Sequence, residues 1–297
     1  MIHVTDWIII KYPSNLNFSL IMNKSNLPVN FREYKIMFKP KEFLDIDKGI
    51  EKVLETLASR IKKQGGKFKE DREAEKKRTW YLDTKTHELK SNNFLFRIRE
   101  EHDEYDITLK NRHPDRYVAA SYDLSGPIQY DKFKLKEFKF EEDITIPFRS
   151  KFSASARFEA KQEPKFDTYE DILSIYPSLK RMGISPSEGL FTVNGFEARE
   201  ISYDLGRIKF ENEDKAKTGI SLWYLSNTET PVIVEFDIDI KANEVSKHSD
   251  MLLEEFPFSL IYELYIFYIA MQKESISDVN ALATKTEYAY NYGHHKS

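Results

Sequence analysis

Residues 232–240 read VIVEFDIDI. Valine, isoleucine and phenylalanine favour a strand. Alternation then sends Phe236 and Ile238 to one face and Glu235, Asp237 and Asp239 to the other. Three carboxylates in a row on one face repel one another unless something positive sits between them.

Other strand-like stretches carry the same division. Glu33 and Lys35 share a face in NFREYKIMFK (30–39), Arg97 and Arg99 in NFLFRIREE (93–101), and Asp106, Thr108 and Lys110 in YDITLKNR (105–112). Arg157, Glu159, Lys161 and Glu163 align in SARFEAKQE (155–163), and Arg207, Lys209 and Glu211 in GRIKFENE (206–213). RTWYLDT (78–84), KLKEFKFEEDITI (134–146), FTVNGFEAREISYD (191–204) and ISLWYLS (220–226) complete the strand signals. For any one strand, a charged face is most simply the wet side of an antiparallel sheet. Repeated over many strands, that reading leaves the apolar stripes of the helices without a surface to cover. Helices packed outside a closed barrel resolve this, and the charges then point inward. A barrel of about eight strands holds side chains or one small ligand. Cations in such an interior cost several kcal/mol each unless paired. A chain of phosphates is their natural partner, and the carboxylates suit a divalent metal bridging it.

A helix is expected from near Asp45 through residue 64, on a stripe of Leu44, Val53, Leu54, Leu57 and Ile61, with Gly65 and Gly66 ending it. The following charge run KFKEDREAEKK (67–77) reads as a solvated loop or helix end, and TYEDILSIYPSLKRM (168–182) as a helix. A last helix is expected over roughly 243–275. Its segment FPFSLIYELYIFYIAMQ is apolar but contains Glu263 and falls short of a bilayer span. Residues 1–28 read as an N-terminal extension, 29–280 as one domain, and 281–297 as a disordered tail in which the His294–His295 pair is incidental.

The 297 residues carry a net charge of -4, which gives no electrostatic case for binding a nucleic-acid duplex. There is no cysteine, so disulfides and thiolate chemistry are excluded and a cytoplasmic location fits. The N-terminus has no basic region ahead of an apolar one and does not read as a signal peptide. No membrane partner is expected, homodimerisation is left open, and no phosphate-loop or dinucleotide fingerprint is present.

Several of these stretches, in order, resemble the CYTH proteins, or triphosphate tunnel metalloenzymes. Their E-x-E-x-K strand is matched by FREYK with Glu33 and Lys35, their Y-x-D-T by YLDT (81–84), their L-R-I-R by LFRIR with Arg97 and Arg99, and their T-L-K by residues 108–110 with Lys110. A mixed-charge strand is matched by RFEAK, an Arg-x-x-x-Tyr strand by Arg199 and Tyr203, and the late E-x-E by Glu235 and Asp237. The first glutamate of E-x-E-x-K falls at Phe31, which removes one expected metal ligand, and Asp239 is positioned by alternation to contribute instead.

The resemblance implies a mainly β fold, a closed eight-stranded antiparallel tunnel with helices outside. It implies Mg2+ or Mn2+ held by Glu33, Glu235, Asp237 and Asp239. A triphosphate-containing small molecule or polyphosphate would be gripped by Lys35, Arg97, Arg99, Lys110 and Arg199, with Arg157, Lys161 and Arg207 as further tunnel residues. Catalysis would fall to Glu33, Lys35, Glu235 and Asp237. Three activities stay open: hydrolysis of a triphosphate, cyclisation of ATP as in class IV adenylyl cyclases, and non-catalytic or polyphosphate binding.

Overall fold

The computed structural model describes residues 29–63, 65–124, 133–145, 149–209, 215–241, 269 and 284–293. The N-terminal extension, the expected helix over 243–275 (apart from residue 269) and the His294–His295 pair lie outside the described residues. Among the described residues are nine strands: β1 (Phe31–Phe38), β2 (Lys67–Thr84), β3 (Phe94–Glu101), β4 (Glu104–His113), β5 (Lys134–Thr145), β6 (Arg149–Ala160), β7 (Leu190–Lys209), β8 (Lys215–Tyr224) and β9 (Ile233–Lys241). They close into a barrel in the order β1-β5-β6-β4-β3-β2-β7-β8-β9.

The mainly β tunnel with outer helices is therefore as expected, with two differences in detail. There are nine strands rather than eight, and β1 runs parallel to β5 while the other pairs are antiparallel. The stretch at 191–204 and the described part of 206–213, up to Lys209, merge into the single long β7 through Gly206. The charge run at 67–77 is not a loop but the first half of β2, paired with β7. Its alternating charges lack an apolar period, so only the long-range partner makes it a strand.

Helix α1 (Ile46–Lys63) lies where the spacing places it and buries Ile50, Val53, Leu54, Leu57 and Ile61 against β1, β7, β8 and β9. Each such side chain contributes about 1.5–3 kcal/mol. Leu44, expected on that stripe, is 66% exposed because it precedes the first helical turn. The helix ends as the two glycines require: Gly66 N–H donates to the Ile61 carbonyl at 3.0 Å and Gly65 N–H to that of Lys62 at 3.2 Å. Short helices α2 (Glu88–Ser91), α3 (Arg116–Ala119) and α4 (Tyr169–Ile175) cover other parts of the barrel, and the second half of 168–182 is a 3-10 turn. No helix among the described residues is long and apolar enough to cross a membrane.

Residues 284–293 are not a disordered tail. They form α5 (Lys285–Tyr290), opened by a capping box of Thr284 and Glu287. Tyr290 Oη donates to Asp83 at 2.8 Å, and Asn194 donates to the Tyr290 carbonyl at 2.7 Å. Around α5 the apolar side chains of Tyr81, Phe196, Trp223 and Ile233 form a cluster joined by Met37 and Leu95. Met37, Tyr81, Leu95, Trp223 and Ile233 continue the inward-facing series of their strands, so this layer closes one end of the barrel.

Gly206, at the register shift of β7, has φ 127°, and a Cβ there would lie 2.1 Å from the Lys69 carbonyl oxygen. Gly206→Ala should therefore lower the free energy of unfolding by about 2 kcal/mol or more. Chemical denaturation measures this, and an unchanged midpoint would contradict the bulge geometry.

Candidate active site in the barrel lumen

The lumen is a cavity of about 480 Å³. Its lining includes Glu33, Lys35, Arg97, Arg99, Lys110, Arg157, Glu235, Asp237 and Asp239, nine of the residues singled out from the sequence. The alternation argument explains why: each is on the inward face of its strand, while Tyr34, Ile36, Phe96, Ile98, Phe236 and Ile238 pack outward into the helix-covered core.

Three expected residues are elsewhere. Arg199 faces outward, in register with Arg78, its guanidinium 5.2 Å from the centre of the Tyr224 ring; it is the next residue, Glu200, that points inward. Lys161 falls in a bend past the end of β6. Arg207 is absent from the cavity lining and pairs with Asp204 at 2.7 Å.

Charge is segregated around the ring. The adjacent strands β9, β1 and β5 carry Glu235, Asp237, Asp239, Glu33, Glu141 and Asp143. Register sets Glu33 opposite both Asp239 and Asp143, and Lys35 opposite Asp237. The adjacent strands β6, β4 and β3 carry Arg157, Lys110, Arg112, Arg97 and Arg99. Lys35 stands inside the acidic arc, 2.6 Å from both Glu33 and Asp143. Arg112 meets Asp143 at 2.5 Å, and Lys110 pairs with Glu141. Lys285, at the start of α5, reaches Glu235 at 3.2 Å and Glu200 at 3.4 Å.

These contacts set the acidities. Burial opposes charge on Lys35, but Asp143, Glu33 and Glu235 outweigh it and hold its pKa well above the usual value. Burial likewise raises Asp143, and Arg112, Lys35 and Lys110 overcome it to hold that carboxyl well below. Glu235 is held below its ordinary range by Lys285 and Lys35 against burial. Other acids lack such relief. Burial, then Asp143, Asp239 and Glu141, raise Glu33 well above its ordinary value despite Lys35. Asp237 is pushed up to about 7 by burial, Asp239 and Glu235, and Asp239 is raised chiefly by burial. Neither aspartate has an ion pair among the described residues.

On the opposite arc, Arg97 has neither an ion pair nor a hydrogen bond among the described residues, and its Nε is buried without a partner. Burial and the neighbouring Arg99 lower its pKa. The Thr108 hydroxyl and the Nε atoms of Arg99 and Arg157 are likewise buried and unpartnered.

Sequence reasoning missed Arg112, Lys139, Glu141, Asp143, Glu200 and Lys285. Arg112 was legible, because it continues the Asp106, Thr108, Lys110 series. Glu141 and Asp143 were legible too, because Phe138, Phe140 and Ile144 mark the outward face of their strand, whereas Lys285 is brought in by a helix remote in sequence.

A hard divalent cation fits the donor set. Glu33, Glu141 and Asp143 offer oxygens all within 4.8 Å of one another, and Asp237 and Asp239 offer unpaired oxygens on the next strand. Opposite Asp237 the chain has Gly219, where a Cβ would approach the Asp237 Oδ2 to 3.0 Å. The residue lacking a side chain leaves that carboxylate room.

The matched stretches face one lumen in their chain order, Lys161 and Arg199 excepted. This is the closed, mainly β tunnel that the resemblance implies. No protein-family profile and no curated protein sequence matches the chain. Among solved structures, a Hippeastrum protein provisionally assigned as an adenylyl cyclase, with a dominant triphosphatase activity, is 11% identical, covering 88% of this chain and 94% of its own, at a TM-score of 0.44. A Bacillus halodurans protein provisionally assigned as an adenylate cyclase is 14% identical over 88% and 95%, at 0.39. One from Vibrio parahaemolyticus, similarly assigned, is 11% identical over 86% and 95%, at 0.32. At TM-scores this low the likenesses carry no argument, and the tunnel is read from this chain's own pairing and side chains.

The raised Asp237 pKa has a measurable sign. The unfolded chain releases this proton near 3.8 and the metal-free fold near 7. Its contribution to stability is thus fully present in acid and fades as pH rises from about 4 to about 7. In chelator, the melting temperature of Asp237→Asn relative to the parent should rise across that window, and Mg2+ should recover the parent's loss at high pH. A difference that does not vary with pH would show that Asp237 is not under this strain.

Proposed function

We propose that the protein is a divalent-metal-dependent hydrolase of a triphosphate chain held in the tunnel. One observation carries this: Arg97, half-buried beside Arg99 with its Nε buried and unpartnered, has no ion pair among the described residues. A guanidinium in that position costs several kcal/mol unless an anion joins it. The surrounding donors suit phosphate oxygens, with Arg97, Arg99 and Arg157 forked for bidentate contacts and Lys35 and Lys110 as point charges. Thr108 offers a hydroxyl between Arg97 and Arg157, its register partners on β3 and β6.

Glu33, Glu235, Asp237 and Asp239, with Glu141 and Asp143, would hold the metal. Bound there, Mg2+ or Mn2+ would neutralise phosphate oxygens and lower the pKa of water. The chain's own side chains supply the rest. The cationic arc fixes the phosphates, and Lys35 adds a positive charge from within the acidic arc. Water adds to a phosphorus while the bridging P–O bond breaks, and the departing oxygen carries the charge that the arginines stabilise. The water's proton passes to a lumen carboxylate. Positioning and charge stabilisation are enough for such a transfer, and no covalent intermediate is required. Cyclisation of ATP would use the same grip with a ribose hydroxyl as attacking group. Phosphate release from tripolyphosphate, thiamine triphosphate and ATP, with cyclic AMP measured beside it, separates these activities.

The two arcs should respond differently to mutation. Arg97→Ala should weaken tripolyphosphate binding about tenfold or more, even without metal, because it removes a direct charged hydrogen-bonding partner. Asp237→Ala should abolish turnover at ordinary magnesium concentration while leaving metal-free tripolyphosphate binding intact or tighter. Calorimetry with and without chelator reads both. Full activity in Asp237→Ala would reduce the acidic arc to a charged surface.

A further inference from the structure

We infer that the open edge of β2 joins two copies of this chain, antiparallel about a two-fold axis at Asp71. Lys69 and Lys67 of each copy then reach Glu73 and Glu75 at the tunnel mouth of the other. This association uses none of the residues assigned to phosphate or metal, and it does not depend on the compound the tunnel takes.

The edge follows from the strand pairing. β7 accompanies β2 over its whole length, from Lys67 to Thr84, whereas β3 pairs with it only from Arg78 to Leu82. Among the described residues no strand lies against the other side of residues 67–77. Lys67 and every residue from Lys69 to Lys76 are exposed. The N–H and C=O groups along such an edge are a template for one more strand.

Charge on an edge strand ordinarily keeps other chains away. Here the order of signs does the reverse for an identical copy. In KFKEDREAE (67–75), antiparallel pairing centred on Asp71 sets Lys67 against Glu75, Lys69 against Glu73 and Glu70 against Arg72. Each contact occurs twice, once on either side of the axis, and opposite charges so placed favour the pairing. Phe68, which packs against the core beneath α1, meets the small Ala74. Asp71 against itself is the one like-charge contact. Register is decided by the same signs. Centring on Arg72 would set Lys67 against Lys77 and Asp71 against Glu73, and centring on Glu70 leaves only Lys67 with Glu73 and Lys69 with Asp71.

The single chain leaves these groups available. Lys67, Lys69 and Glu73 have no ion pair among the described residues, while Arg72 turns to Glu70 and Glu75 to Lys77 along the same strand. Glu73 and Glu75 line the lumen at the end away from α5. Lys69 shares that face, in register with Arg207 and, through it, with the lumen-lining Lys217. The second copy's lysines therefore arrive on the side where the mouth carboxylates stand.

Sedimentation velocity on the full chain, over a concentration series, reads the association. The parent should form a dimer whose dissociation constant rises about tenfold or more from low to molar salt. Lys67→Glu/Lys69→Glu makes the contact positions acidic throughout, and Glu73→Lys/Glu75→Lys makes them basic throughout. Each variant alone should be monomeric where the parent is dimeric and should melt as the parent does. Mixed in equal amounts they should form a heterodimer, because every reversed contact again joins opposite signs. A second readout fixes the register, since the chain has no cysteine of its own. Asp71→Cys sets two thiols opposite one another, within reach of a disulfide under mild oxidation. Lys67→Cys keeps its thiols eight strand residues apart, about 27 Å, and should not crosslink. Should a reversed variant melt early, the two cysteine variants decide alone. A monomeric parent, a dimer indifferent to both reversals, or reversed variants that do not pair with each other would overturn the inference. So would crosslinking of Lys67→Cys as readily as of Asp71→Cys.

Discussion

Burying charge of both signs inside one closed barrel is the constraint on which the rest of the structure depends. A carboxylate or guanidinium taken from water loses several kcal/mol of hydration, and this lumen holds many of each. Its solution is partial. Lys35, Lys110, Arg112 and Lys285 neutralise Glu141, Asp143, Glu200 and Glu235 at close range, while Glu33 keeps a raised pKa despite Lys35. Arg97 on one side and Asp237 and Asp239 on the other are left over. The unspent charges have opposite signs and sit on different arcs, so they call for a ligand that is itself anionic and carries a cation.

That segregation follows from topology. Because β1 is inserted between β5 and β9, the acids of three strands become neighbours although they are far apart in sequence. The parallel pairing of β1 with β5 sets Glu33 beside Asp143, and the antiparallel pairing with β9 sets it beside Asp239. Hairpin-linked β3 and β4, with β6 next to β4, do the same for the bases. The apolar core of α1 and the closed ring keep both arcs facing inward.

How much of this is legible in the sequence depends on whether alternation alone decides a residue's direction. For Glu33, Lys35, Arg97, Arg99, Lys110, Arg157, Glu235, Asp237 and Asp239 it does, since apolar neighbours fix the outward face. It fails at Arg199, where FEAREISY offers charged residues on both faces and only the pairing of Glu200 with the lumen settles the parity. In β5 only Glu142 interrupts the outward series of Phe138, Phe140 and Ile144, so alternation also turns Glu141 and Asp143 inward. The first half of β2 is invisible because neither of its faces reads as apolar. Lys285 needs knowledge that a remote helix is anchored by Asp83, a residue whose place in YLDT gives no hint of that partner.

Position 31 shows how pairing can offset a local departure. Phe31 occupies the inward place where resembling proteins carry a glutamate, and Lys139 lies 4.5 Å from the centre of its ring. Its register partner on β5 is Glu141, whose carboxylate lies within 4.8 Å of those of Glu33 and Asp143. The aromatic ring therefore does not leave Glu33 without acidic company, because the neighbouring strand brings a carboxylate to the same region. A side chain counted as missing along one strand is supplied across the sheet, and the lumen's charge has to be counted around the ring rather than along the chain.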